Sequence, residues 1–167
     1  QCGVQDDSQP VEQYDGLLGV TTAFVDAHER PVGQLQWNDN LAAIYNNPGD
    51  VSGVRWCTGC LISDNLFMTA GHFFDQTGGG WQRPRANGTN NIISEAEIAR
   101  NIHVNFNYQV DANGNLQTAV VFAVEELLEY RLGGLDYAIV RLARAPGRQF
   151  GVGRVASRDA NKGDMLC

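Results

Sequence analysis

The chain has 167 residues, of which 43% are hydrophobic and 19% charged, and a formal net charge of −7. That length holds one domain, or one domain and part of another, with enough apolar material for a buried core rather than wholesale disorder. The acidity and the lack of any basic run argue against a nucleic-acid partner, and no apolar run nears the ~20 residues that cross a bilayer.

Residues 1–16 (QCGVQDDSQPVEQYDG) are polar and read as an N-terminal extension. The opening Gln1-Cys2-Gly3 has no initiator methionine, which is expected of a processed product, secreted or periplasmic. Gly19 to Val25 (GVTTAFV) is β-branched and aromatic and predicts a first strand. Pro31 to Trp37 alternates apolar and polar residues and predicts a second, whereas Asn38 to Gly53 reads mostly as loop. Arg55 to Ser63 and Leu66 to Thr69 predict a strand and its return, joined by Asp64-Asn65.

Residues 78–91 form a polar, glycine-rich loop, and Ser94-Glu95-Ala96-Glu97 fits a capping box or a short strand. His103 to Val110 and Thr118 to Val124 read as strands, with Asn113-Gly114 between them as a hairpin turn. Asp136 to Leu142 (DYAIVRL) is a further strand. This succession of short strands predicts an all-β barrel or sandwich.

Cys57-Thr58-Gly59-Cys60 has a spacing used by zinc sites and redox dithiols. Zinc would require both thiols to converge with two more ligands from His72, His103, Cys2 or Cys167. On a strand, however, side chains at i and i+3 leave opposite faces. A redox pair needs a helix N-terminus, whereas a strand end and a turn follow here. The cysteines are therefore read as buried in the barrel or joined to other cysteines. No cofactor and no metal is expected. His28 and His103 have no acid or metal spacing to raise them above surface or strand histidines, and Trp37, Trp56 and Trp81 read as core or barrel-end packing.

His72 differs in its setting. Leu66-Phe67-Met68 is a buried-strand pattern, and Thr69-Ala70-Gly71 are small enough to let other backbone approach an imidazole mounted behind them. Asp136 begins a strand after Gly133-Gly134-Leu135, where its carboxylate can accept the Nδ1–H of His72. The stretches Cys57 to Ile62 and Thr69-Ala70-Gly71-His72, followed by Asp136-Tyr137-Ala138-Ile139-Val140-Arg141-Leu142, resemble the trypsin/chymotrypsin-like serine peptidases, with the bacterial, V8-like branch the better fit. In that family the histidine segment reads Thr-Ala-(Ala/Gly)-His after a strand Cys-(Thr/Gly)-Gly-x-Leu-Ile. The acid block reads Asp-(Ile/Tyr)-Ala-(Leu/Ile)-(Val/Leu)-x-Leu.

The resemblance implies the first six-stranded Greek-key β-barrel of the chymotrypsin-like double-barrel fold over residues 17–146. Residues 147–167 would then be the inter-barrel linker and the start of a second barrel. It also implies a secreted serine endopeptidase, a hydrolase in which His72 is the general base and Asp136 the orienting acid. Its substrate would be polypeptide.

Two departures stand out. The residue after the histidine is Phe73 where vertebrate-type members carry a cysteine, so the usual bridge to Cys57 cannot form. Ser8, Ser52, Ser63, Ser94 and Ser157 all lack the Gly-x-Ser-Gly context of the nucleophile, and Gly163-Asp164-Met165 does not replace it. The serine is expected from a second chain or a C-terminal barrel, and this chain alone is expected to be inactive. The alternative is a non-catalytic, peptidase-like binding module or pseudoenzyme subunit.

Overall fold

The computed structural model describes residues 8–77, 80–159 and 161. Six strands close into one antiparallel barrel: β1 (Val32–Trp37), β2 (Arg55–Leu61), β3 (Leu66–Thr69), β4 (Ile102–Phe106), β5 (Val120–Arg131) and β6 (Tyr137–Leu142). Around the barrel the order is β1-β2-β3-β6-β5-β4, with β4 returning to pair with β1. Closure leaves no open edge of unpaired backbone groups.

Inward positions supply the core. Leu35, Leu61, Phe67, Val104, Phe106, Val140 and Leu142 are each fully buried. Aromatic rings tile its centre, with Phe106 edge-on to Phe67 at 6.0 Å and stacked on Phe150 at 4.6 Å. Phe150 closes the short helix Gly147–Phe150 that follows β6, so this segment packs onto the barrel. The outer face of β1 and β4 carries a buried amide pair, in which Asn105 Nδ2 donates to Gln36 Oε1 at 2.9 Å.

Gly19 to Val25 is not a strand. Thr22–His28 is an α-helix, and none of its residues is buried. Thr21 Oγ1 accepts from the Phe24 amide at 3.1 Å, and the rings of Phe24 and His28 stack one turn apart at 4.1 Å. An N-cap and an i,i+4 pair here outweigh a β-propensity that reports mainly on packing against neighbouring strands. With that segment removed, the remaining six predicted strands are the six observed.

Their limits shifted for local reasons. β4 stops at Phe106 because Asn107 turns to φ 58, a left-handed conformation that asparagine tolerates. The Asn113-Gly114 turn is present beyond it, with Gly114 at φ 82 and Asp111 Oδ1 accepting from the amides of Asn113 and Asn115. β5 runs on to Arg131, past register shifts between Val124 and Glu126 and between Leu127 and Glu129 that break the two-residue alternation of its sequence.

Helix Glu95–Arg100 lies in the long connection from β3 to β4. Ser94 Oγ accepts from the Glu97 amide at 3.3 Å, whereas the Glu97 carboxylate accepts from Tyr45 Oη at 3.1 Å. Only the serine half of the capping box is used for the cap. Ser94→Ala should cost about 1 kcal/mol in urea unfolding, with an unchanged midpoint as the contrary result.

Candidate active site

His72 sits on a single 3-10 turn, Gly71–Phe74, directly after β3. Phe73 and Phe74, the last two residues of that turn, are fully buried, so they anchor it in the core while the imidazole stays half exposed. Phe73 stacks on Trp37 with ring centroids 5.9 Å apart.

Asp136 arrives from the other side. β3 and β6 pair antiparallel through Thr69↔Ala138, and two residues farther along the chains lie Gly71 and Asp136. The carboxylate makes two bonds to one residue. Asp136 Oδ1 accepts from the His72 backbone N–H at 2.8 Å, and Oδ2 accepts from Nδ1 at 2.7 Å.

An ionised carboxylate has no proton to give, so Nδ1 carries the hydrogen and Nε2 keeps its lone pair. The bond from the imidazole, followed by those from the His72 and Gly71 backbone, holds the Asp136 carboxyl below its ordinary value. The stabilisation is therefore complete above the usual carboxylate range and is lost as pH falls through the depressed folded value.

Gly71 makes the pairing possible. A Cβ there would lie 2.2 Å from the Arg131 carbonyl oxygen, 2.8 Å from that of Tyr137 and 3.1 Å from Asp136 Oδ1. No side chain fits between the turn and the β5–β6 end of the barrel. The smallness read from Thr-Ala-Gly therefore serves the approach of carbonyls and the acid to the backbone before the ring.

What faces Nε2 within the described residues is Cys57. Its Sγ lies 4.0 Å away, and Cys57 is a buried free thiol, not bonded to Cys60. Burial, and secondly the charge of Asp136, push the thiol up to about 11. A thiol with so little thiolate at neutral pH is a poor nucleophile. With Cys2, Cys60 and Cys167 replaced by serine, Cys57 should react with Ellman's reagent on the order of 10²-fold more slowly in the native than in the unfolded chain. Equal rates would contradict this placement.

Trp56, next to Cys57 on β2, presents its edge to the His72 ring with centroids 5.9 Å apart, and Trp81 packs against Trp56 at 6.0 Å. Both indoles remain about two-fifths exposed, so they wall the histidine rather than fill the core. Sequence reasoning gave them as core or barrel-end packing and did not link them to His72. Trp56 is the extra residue of a bulge in β2, where the pairing with β1 steps from Leu35↔Cys57 to Gln36↔Arg55, so Trp56 and its neighbour Cys57 both reach the His72 ring.

The other sequence candidates stand apart from the pair. His103 Nδ1 lies 2.7 Å from Asn38 Oδ1, and burial, opposed by Asp39 and aided by Arg55, lowers its pKa. His28 bonds the Phe24 carbonyl through Nδ1. Ser63 Oγ accepts from the amides of Asn65 and Leu66 in the β2–β3 turn, and Ser94 caps a helix. Cys2, Cys167 and Gly163-Asp164-Met165 lie outside the described residues. Set against known protein families and against curated proteins, the chain matches none.

Proposed function

We propose that this chain is the His–Asp barrel of a chymotrypsin-like serine endopeptidase, with His72 as general base and Asp136 as its orienting acid. The observation that carries the reading is the pair of hydrogen bonds that one carboxylate accepts from one histidine, from the backbone N–H and from Nδ1, on a half-exposed ring. A packed structural histidine has no need of an acid that fixes its tautomer and leaves Nε2 free to take a proton. The topology lends support. β4 returns by a long connection to lie beside β1, giving the 4-1-2-3 spatial order of a Greek key.

In this reading a serine from a second barrel, or from a second chain, approaches Nε2. His72 takes its proton as the hydroxyl attacks the scissile carbonyl, and the resulting imidazolium is stabilised by Asp136. The same proton then passes to the leaving amine, and water hydrolyses the acyl-enzyme with His72 again as base. Cys57 is not the nucleophile, because it is buried and holds its proton. An apolar groove involving Val32, Ile62, Met68, Val152 and Val155 leaves a surface for a second body to cover.

Native material should be treated with a fluorophosphonate probe and analysed by intact mass. The reading expects a labelled serine outside Ser8, Ser52, Ser63, Ser94 and Ser157, on a polypeptide held by this barrel. No labelled serine and no associated polypeptide would leave the barrel a non-catalytic binding module.

A further inference from the structure

The outer face of β1 and β4 borders a cavity of about 410 Å³ whose lining includes neither His72 nor Asp136. Gln34 and Asn105 belong to that lining. Asn105 Nδ2 spends both of its hydrogens, on Gln34 Oε1 at 3.2 Å and on Gln36 Oε1 at 2.9 Å. Both glutamines in turn give Nε2 to backbone carbonyls, those of Leu35 and Gly53. The amides therefore cannot turn over, and Asn105 Oδ1 is fixed as an acceptor. Asn105 is only 4% exposed, and its Oδ1 accepts no hydrogen bond among the described residues. Among those residues no fully buried side-chain nitrogen or oxygen lacks a partner, so this oxygen opens into the cavity that Asn105 lines.

The far wall repeats the pattern. Gln109 Nε2 gives one hydrogen to Glu12 Oε1 at 3.2 Å and the other to Glu29 Oε2 at 3.3 Å, while Gln117 Nε2 donates to Glu12 Oε1 at 3.2 Å. The amide donors are spent on the protein's own oxygens. What stays available is acceptors: the side-chain oxygens of Asn105 and Gln109 and the second oxygen of each carboxylate. The two acids are also poorly balanced. Burial, opposed by the Gln109 bond and aided by the charges of Glu12 and Asp26, raises the Glu29 carboxyl above its ordinary value. Arg30 lines the cavity as well, but its guanidinium donates to the Gln149 carbonyl at 2.6 Å.

A lining of acceptors with two carboxylates calls for a cation that brings its own N–H donors. We propose that this cavity binds an organic cation through a guanidinium head. Five N–H donors in a planar fork are enough for both carboxylates and the two amide oxygens, and the positive charge offsets the second acid. A metal ion bridging the acids fits poorly, because the Gln109 Nε2 donor already bridges them. Nor does any group of three His, Cys, Asp or Glu side chains converge on a metal site among the described residues. Such a head is carried by a free small molecule or by an arginine side chain, and the test separates the two.

The test is isothermal titration of the full chain with butylguanidinium chloride, beside butylurea, which has the same shape without the charge. One saturable site is expected, with butylurea at least about 10-fold weaker. Glu12→Gln and Glu29→Gln should each weaken butylguanidinium about 10-fold with an unchanged thermal melt, since neither side chain belongs to the core. His72→Ala should leave the affinity as it is, so the result is independent of the peptidase reading. Equal or tighter binding of N-acetylarginine N-methylamide assigns the site to an arginine side chain, and weaker binding assigns it to a free small molecule. Absence of saturable binding, equal binding of butylurea, or an affinity that either glutamine variant leaves unchanged overturns the proposal.

Discussion

Asp136→Asn is expected to lower kcat of the assembled peptidase by about 10⁴-fold with little change in KM. The reason lies in the two bonds that the carboxylate makes. Both of its oxygens accept, one from the His72 backbone and one from Nδ1. An asparagine has one oxygen. If it keeps the backbone bond, its NH₂ faces Nδ1 and donates, which drives the ring proton onto Nε2. That tautomer cannot take a proton from serine. If instead it keeps Nδ1–H, the NH₂ meets the His72 N–H and the turn is pushed away. Either way the base is lost while the barrel stays folded. Steady-state kinetics on a peptide substrate, beside a thermal melt of the variant, provide the check. A loss under 10-fold with an unchanged melt would mean that Asp136 orients nothing.

Gly71→Ala should damage both fold and site through a single methyl group. The added carbon would sit 2.2 Å from the Arg131 carbonyl oxygen, which belongs to the backbone and cannot rotate aside. Either the 3-10 turn lifts or the end of β5 retreats. The expected cost is about 1–3 kcal/mol, as for other overpacked sites. Lifting the turn moves His72 relative to Asp136, and a displacement of about 1 Å is worth on the order of 10²-fold in rate. Urea unfolding and kcat measured on the same variant separate the two effects. Native stability with full activity would show that the turn has room that the structure denies it.

Much of this arrangement could be read in advance because its parts are local. The small residues before His72, the buried pattern of Leu66 to Met68 and the strand beginning at Asp136 are each short-range signals. Antiparallel pairing of β3 with β6 then brings the two residues together. What escaped the sequence depends on contacts across the fold. Thr21 and Phe24 turn GVTTAFV into a helix because no strand is available to pair with it. The bulges of β5 hide its true length behind EELLEY. The nearness of Cys57 to Nε2 arises only when β2 and the Gly71–Phe74 turn are set side by side, and Trp56 becomes a wall of the site by the same juxtaposition.

The central claim is that Nε2 of His72 is a competent base facing a serine from elsewhere. A peptide chloromethyl ketone reports on both at once, since its ketone is attacked by the nucleophilic serine while its methylene alkylates Nε2 and chloride leaves. Applied to the native protein and mapped by tandem mass spectrometry, it should place one stoichiometric adduct on the peptide containing His72, and Asp136→Asn should suppress it. An adduct on Cys57 instead, or none on His72 in material that still cleaves peptides, would contradict the account.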